Sequence, residues 1–345
     1  SSRNNRAVVR AGLARINAST RPCWHALNKP STGLTAQDLA FGIGPKINAR
    51  GRLDEAMAGV HFLTAADDAS AAELLATLEA HNNERKRIEK ELKGEAMEQA
   101  QAQLADGERA AVIWLANGHP GVHGIVASRV SERFGCPAVC LSPKQGRDDL
   151  VTGSARGIDG FHVRDALQAG ADAAPDLFTA FGGHPGAGGL TIPFEKIAPF
   201  RELFHRAARS QLSQDAIGPV LETDGPVEPA SLSLAAVDAL AAIEPFGRGF
   251  EAPRFDGEFT LRSSKRVGDG THVRLVLEAE DGTTVAAIWF SAVADASEAL
   301  PALVGDRVQV VFELSANEWR QRTLQLQVRH LAKAQVGAEA AGAIA

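Results

Sequence analysis

The residues of this 345-residue chain best suited to chemistry gather in two glycine-rich stretches. Phe181 to Gly189 reads FGGHPGAGG, five glycines around His184. Glycine permits close backbone approach and positive φ, so successive amides can face an anion while His184 adds a donor beside them. Such a turn can cradle a phosphate, although a histidine beside glycines is often only a satisfied loop residue. Gly153 to Phe161 reads GSARGIDGF, and its Ser154 and Arg156 could bind another phosphate oxygen. Both stretches read as loops. His119 and His123 are four apart, but Pro120 and Gly121 interrupt the helix that would put both on one face, and no Glu follows His119. A metalloprotease-like site is therefore not expected there. Cys23, Cys136 and Cys140 contain no CxxC pair and leave one thiol unpaired in any scheme. That argues against a zinc site or a secreted disulfide scaffold and fits a reducing, cytoplasmic setting.

The elements that must position these residues follow from periodicity. Asn5 to Ile16 carries apolar residues at helical spacing, and Phe41 to Leu53, FGIGPKINARGRL, reads as a glycine-, proline- and arginine-rich loop. From Ser70, with Glu73 as a possible capping-box partner, no Pro or Gly interrupts the run until Gly94. Leu74, Leu78, Ile88 and Leu92 make only a thin stripe, so the segment suits a helical bridge between domains, ending near Asp106 and Gly107. A buried strand (Ala110 to Leu115), a helix (Val122 to Phe134) and a second apolar run (Ala138 to Leu141) predict a parallel α/β unit, with Cys136 and Cys140 buried and inert. Beyond Arg254 the period becomes two. Five strands, with a helix expected over the alanine-rich Ser291 to Leu300, describe an OB-fold, although another small barrel without a ligand would share the pattern. The Ala/Gly-rich tail from Ala334 reads as disordered.

Composition sets the outer bounds. At 45% hydrophobic and 23% charged residues the chain reads as an ordinary globular protein of about two to three packed units. Its longest wholly apolar run, Ala110 to Ala116, falls far short of the ~20 residues that span a bilayer, and no apolar signal core opens the chain. Net charge is −6, yet residues 1–53 alone sum to +8 and the remainder to −14. A basic block beside acidic bulk suits a phosphate-contacting surface, and it suits a solvated helical face equally well.

Taken in order, FGIGPKINARGRL, the helical bridge, WLANGHPGVHGIVASRVSERF, GSARGIDGF, FGGHPGAGG, EPFGRGFEAPRF and NEWRQRTLQLQVRHL resemble the RecJ-type exonucleases of the DHH phosphoesterase superfamily. The resemblance runs over nearly the whole chain. It implies an α/β plus β architecture: the end of a DHH catalytic domain (1–64), a connecting helix (65–107), an α/β DHH-associated domain that binds nucleotide (108–213), an OB-fold for single-stranded DNA (214–333) and a tail (334–345). The family's metal ligands lie in paired aspartates, an Asp-His-His motif and a later aspartate. This sequence has no Asp-His-His, no Asp-x-Asp and no acidic residue before Asp38, and it begins with Ser1. The expectation is therefore a substrate-binding portion of a 5′-to-3′ single-stranded-DNA exonuclease, inactive alone. The Mn²⁺ or Mg²⁺ of the intact enzyme would be held elsewhere.

By the same resemblance, His184, Arg156 and Arg52 are the candidate catalytic residues. Asn48, Ser154, Gly182, Gly183, Trp319, Arg320 and Arg322 are the candidate substrate contacts, and no metal ligand is assigned. Arg50 stands where the family has a smaller residue. Phe290 and Trp289 are further aromatic candidates, Trp289 reading better as core. Expected partners are single-stranded DNA and, through the family, a single-strand-binding protein and a helicase. A noncatalytic nucleic-acid-binding protein and a small-nucleotide phosphodiesterase of the same superfamily are the competing readings.

Overall fold

The computed structural model describes residues 3–27, 33–53, 57–247, 249–293, 297–318 and 320–334, without the side chains of residues 3, 4 and 50–53. All of the expected tail but Ala334 lies outside the described residues, as do Trp319 and the side chains of Arg50 and Arg52. The chain forms two compact units, Leu13–Val220 and Leu221–Ala345 with Ser1–Gly12.

The N-terminal helices are α1 (Arg3–Asn17), α2 (Pro22–Ala26), α3 (Gly44–Leu53) and α4 (Met57–Leu63). The expected loop at Phe41 to Leu53 is instead helical, with a π turn over Asp38–Ile43 running into α3. Pro45 is the second residue of α3, directly after Gly44, whose amide donates to the Leu39 carbonyl five residues back; proline has no N–H to continue that ladder, while its fixed φ still suits a helix. Helix α5 (Asp68–Ala105) is the expected bridge and has Asp106 as its C-cap. Its N-cap is Asp67, which accepts from the Ser70 amide at 2.8 Å, and not the expected Ser70. Leu75 and Leu78 pack with Cys23 and Phe62, whereas Leu92, Ala96 and Ala100 pack beneath the sheet that follows. The helix looked sparsely apolar because its second half buries alanines. Their small side chains permit close approach.

The sheet of the first unit runs β1 (Ala111–Trp114), β2 (Ala138–Lys144), β3 (Arg147–Arg156), β5 (Ala187–Pro193), β4 (Ala180–His184). Strands β1 and β2 are parallel, joined by α6 (Pro120–Phe134), as the strand-helix-strand order required. Pro120 begins α6 and does not interrupt it, with His119 as N-cap accepting from the Gly121 amide. Helices α5 and α6 cover one face. On the other lies a core of Val139, Leu141, Val151, Phe200 and Phe204 beneath α7 (Val163–Ala173) and α8 (Ile197–Gln211). Gln99 and Gln103 of α5 turn their amides onto Trp114 and Val112, each donating to a carbonyl and accepting from an N–H, so the edge of β1 is closed.

In the second unit α9 (Leu234–Ile243) precedes a closed barrel of β6 (Phe255–Val267), β7 (His272–Glu278), β8 (Thr284–Trp289), β10 (Thr323–Lys333) and β9 (Arg307–Asn317). Strands β8 and β10 are parallel and the other pairs antiparallel, which is OB-fold topology. The helix expected over Ser291 to Leu300 is absent from the described residues there, which are turns and bends. Ser291 leaves β8 with φ of 49° and its amide donates to His272 Nδ1, while Val293 is drawn into the interior. Alanine content favours a helix, but these anchors hold the segment to the barrel instead.

Candidate nucleic-acid interface

The two glycine-rich stretches contribute strands that lie side by side. FGGHPGAGG forms the hairpin of β4 and β5, and GSARGIDGF is strand only as far as Arg156, its Gly157 to Phe161 being the loop its glycines suggested. Ala138, Arg156, Ala187 and His184 form one register row across four strands; Cys140, Ser154, Gly189 and Gly182 form the row two residues further on. Because strand side chains alternate, both rows project from one face. Arg156 and His184 thus share a face two strands apart, roughly 10 Å at the usual strand spacing.

That face is a floor of small residues. A Cβ at Gly182 would meet nothing within 4 Å, and Gly189 is similarly open, its nearest atom 3.8 Å away. Gly183 is different. Its φ is +152°, and a Cβ there would collide with the Ala187 carbonyl oxygen, so this glycine is needed to close the hairpin. The Gly157 amide donates to the Gly186 carbonyl at 2.9 Å and Val163 to that of Pro185 at 2.8 Å, tying the hairpin turn to the segment after β3. Ser154 and Arg156 are half-buried, while His184 is exposed. Arg156 Nε donates to Ser128 Oγ on α6 at 3.1 Å and Nη1 to the Ala155 carbonyl at 2.8 Å. The face therefore offers a cation and an imidazole around a floor that a sugar-phosphate backbone can approach closely.

The other candidates are not gathered on this floor. Asn48 on α3 lines a separate pocket of about 250 Å³ with Arg85, Glu89, Ile125 and Arg129. Of the basic N-terminal block, Arg10 donates to the Glu244 carbonyl at 2.8 Å, Arg6 stacks 4.0 Å over Phe250, and Lys46 pairs with Glu79 at 2.7 Å. The block is thus partly consumed in structural contacts. Cys136 and Cys140 are buried beside β2, and burial pushes both thiols up to about 12, so both are inert at neutral pH.

On the barrel, Trp289 packs against the core as expected, and exposed Phe290 meets the His272 ring edge-on at 5.6 Å. Arg322 is bound to the Asp238 carboxylate and so is less available for the substrate contact expected of it; Arg320 is exposed. Sequence reasoning missed Lys265 and Arg274. They are exposed register partners on β6 and β7, and neither makes an ion pair among the described residues. Like charges directly opposite one another are unfavourable, and an anion between them relieves the repulsion. The alternation of β7 already pointed Arg274 outward; its pairing with Lys265 needed the register.

With this geometry established, residues 107–210 match the DHHA1 domain and residues 223–330 the RecJ OB domain. Over those residues the chain is similar to a DHHA1 domain followed by a RecJ OB domain, in agreement with the sheet unit and the closed barrel. Along the segment it covers, the chain is RecJ-like in sequence, domain order and fold. It is 34% identical over 340 residues to the single-stranded-DNA-specific exonuclease RecJ of Dickeya dadantii, covering 95% of this chain and 58% of that protein. The RecJ of Escherichia coli is 34% identical over 337 residues, with 94% and 57% covered. The crystal structure of RecJ in complex with Mg²⁺ from Thermus thermophilus superposes with a TM-score of 0.75 at 29% identity, covering 96% of this chain and 49% of that one. The chain thus spans about half to three-fifths of the length of these relatives. A second Thermus thermophilus structure holds Mn²⁺. Among the described residues of this chain no group of three or more His, Cys, Asp or Glu is placed to hold a metal ion. No described helix is long and apolar enough to cross a membrane.

Proposed function

We propose that this chain is the substrate-binding portion of a metal-dependent 5′-to-3′ single-stranded-DNA exonuclease of DNA repair and recombination. The observation that carries the reading is the shared face of Arg156 and His184 over a floor of Ser154, Gly182 and Gly189. Binding and orientation are the work this reading assigns to these residues, with the two hard cations of the intact enzyme assigned elsewhere. The barrel holds the single strand through its backbone and unpaired cations. The sheet face receives the terminal nucleotide, with Arg156 and the His184 ring donating to phosphate oxygens as charge develops there. The domain division at 1–64, 65–107, 108–213 and 214–333 belongs to this proposal, as do cytoplasmic location and cooperation with a single-strand-binding protein and a helicase.

The test is single-turnover cleavage beside equilibrium binding, in the intact protein. Removing a donor that acts on developing charge lowers turnover by about 10²-fold to 10³-fold, whereas losing one phosphate contact among many changes affinity modestly. His184→Ala and Arg156→Ala are expected to slow cleavage in that range while a long single strand still binds. Parental rates under saturating enzyme for both would remove them from the active site.

A further inference from the structure

The motif WLANGHPGVHGIVASRVSERF has so far supplied only a helix, yet two of its residues hold Arg156. Gly124 and Ser128 lie four apart on α6, on the side that meets the end of β3. Ser128 Oγ donates to the Gly124 carbonyl at 2.9 Å, which leaves its lone pairs to accept Arg156 Nε–H at 3.1 Å. At Gly124 the three atoms nearest an added Cβ all belong to the Arg156 guanidinium: Nη2 at 2.5 Å, Cζ at 3.3 Å and Nη1 at 3.6 Å. A glycine inside a helix is less favourable than alanine, so its presence here answers to a need for space. That space is filled by the guanidinium.

We infer that Gly124 and Ser128 are positioning residues for the phosphate-binding guanidinium of Arg156: the serine sets its rotation and the glycine sets how closely it lies against α6. The pair would tune how the site engages its nucleic-acid substrate without touching that substrate. The inference rests on the proposed role of Arg156. It separates from a merely structural account because the neighbour at Gly124 is the far end of a flexible side chain. Gly124→Ala can be accommodated by displacing the guanidinium alone, and the helix itself gains from the substitution.

The experiment compares Gly124→Ala, Ser128→Ala, Ser128→Thr and Arg156→Ala in the intact protein, by thermal melting, by single-turnover cleavage of a labelled single strand and by affinity for a short single-stranded oligonucleotide. Gly124→Ala is expected to melt at or above the parental temperature while cleaving at least tenfold more slowly. Ser128→Ala should lose a similar factor, with Ser128→Thr restoring it because the threonine hydroxyl keeps both hydrogen bonds. Adding either loss to Arg156→Ala should have no further effect, since the guanidinium they position is gone. If Arg156→Ala is impaired while Gly124→Ala and Ser128→Ala cleave and bind at parental levels, the inference is overturned and the proposed function stands. Melting that falls in step with activity, or an unrescued Ser128→Thr, also overturns it. Should Arg156→Ala itself cleave at the parental rate, the functional reading fails first and takes the inference with it.

Discussion

Replacing His123 with valine should raise the acid stability of the chain, by an amount the structure allows to be worked out. The ring lies on α6, one residue before Gly124, and is 1% exposed; its Nε2 has no hydrogen-bond partner among the described residues. Burial, assisted by the nearby His119, pushes its pKa down from 6.5 to about 4. The folded state therefore refuses a proton that the unfolded chain accepts at the ordinary value. Stability is complete above pH 6.5 and declines as pH falls from there toward 4, where the folded form begins to bind the proton as well. At about 1.4 kcal/mol per tenfold difference in proton affinity, the loss from this one group is about 2 kcal/mol at pH 5 and about 3 kcal/mol at pH 4. Valine abolishes the titration and removes an unsatisfied buried nitrogen, which by itself costs about 1–3 kcal/mol. The assay is urea unfolding of both proteins at pH values from 7.5 to 4.5. Only their difference is diagnostic, because burial also depresses His205 and carboxylates such as Asp67 begin to titrate at the acid end. That difference should widen steadily below pH 6.5. Parallel stability profiles would falsify the argument and place a partner at Nε2.

Single-stranded DNA is expected to bind more tightly than duplex, with log affinity falling against log salt by about 0.7 per phosphate neutralised; anisotropy titrations at several salt concentrations measure both. In the same titrations, Arg274→Ala should reduce the salt slope by about 0.7, and Arg322→Ala, already paired with Asp238, by less. An equal change for both would remove the distinction between paired and unpaired cations. The chain alone should release no mononucleotides with Mg²⁺ or Mn²⁺; metal-dependent release that survives repurification would refute the assignment of the metal centre to residues elsewhere. Asp67→Ala should lower the melting temperature through loss of the α5 cap, whereas Ser70→Ala should lower it less, a comparison that thermal melting resolves.

Which segments become helix and which become strand was largely legible from the sequence, because hydrophobic period is a local property. The two-residue alternation beyond Arg254 identified three of the barrel strands and the runs Phe255 to Leu261 and Val285 to Phe290 the other two, while the run from Ser70 identified α5 and its end near Asp106. Local reading failed where a residue type has two uses. Glycine and proline suggested loops at Phe41 to Leu53 and Phe181 to Gly189, yet Pro45 lies within a continuous helical run and the glycines of β4 and β5 lie in paired strands. Strand pairing satisfies those backbone groups whatever their intrinsic flexibility. The site itself depends on encounters that no local pattern encodes. Arg156 meets Ser128 at a separation of 28 residues, Arg322 meets Asp238 at 84, and Arg10 meets Glu244 at 234. Sequence determined that the chain carries these cations and its glycine-histidine motif. Only the tertiary structure decided which cations are neutralised and which make no ion pair among the described residues, because an ion pair depends on a distance of a few ångströms and register places those partners across the fold.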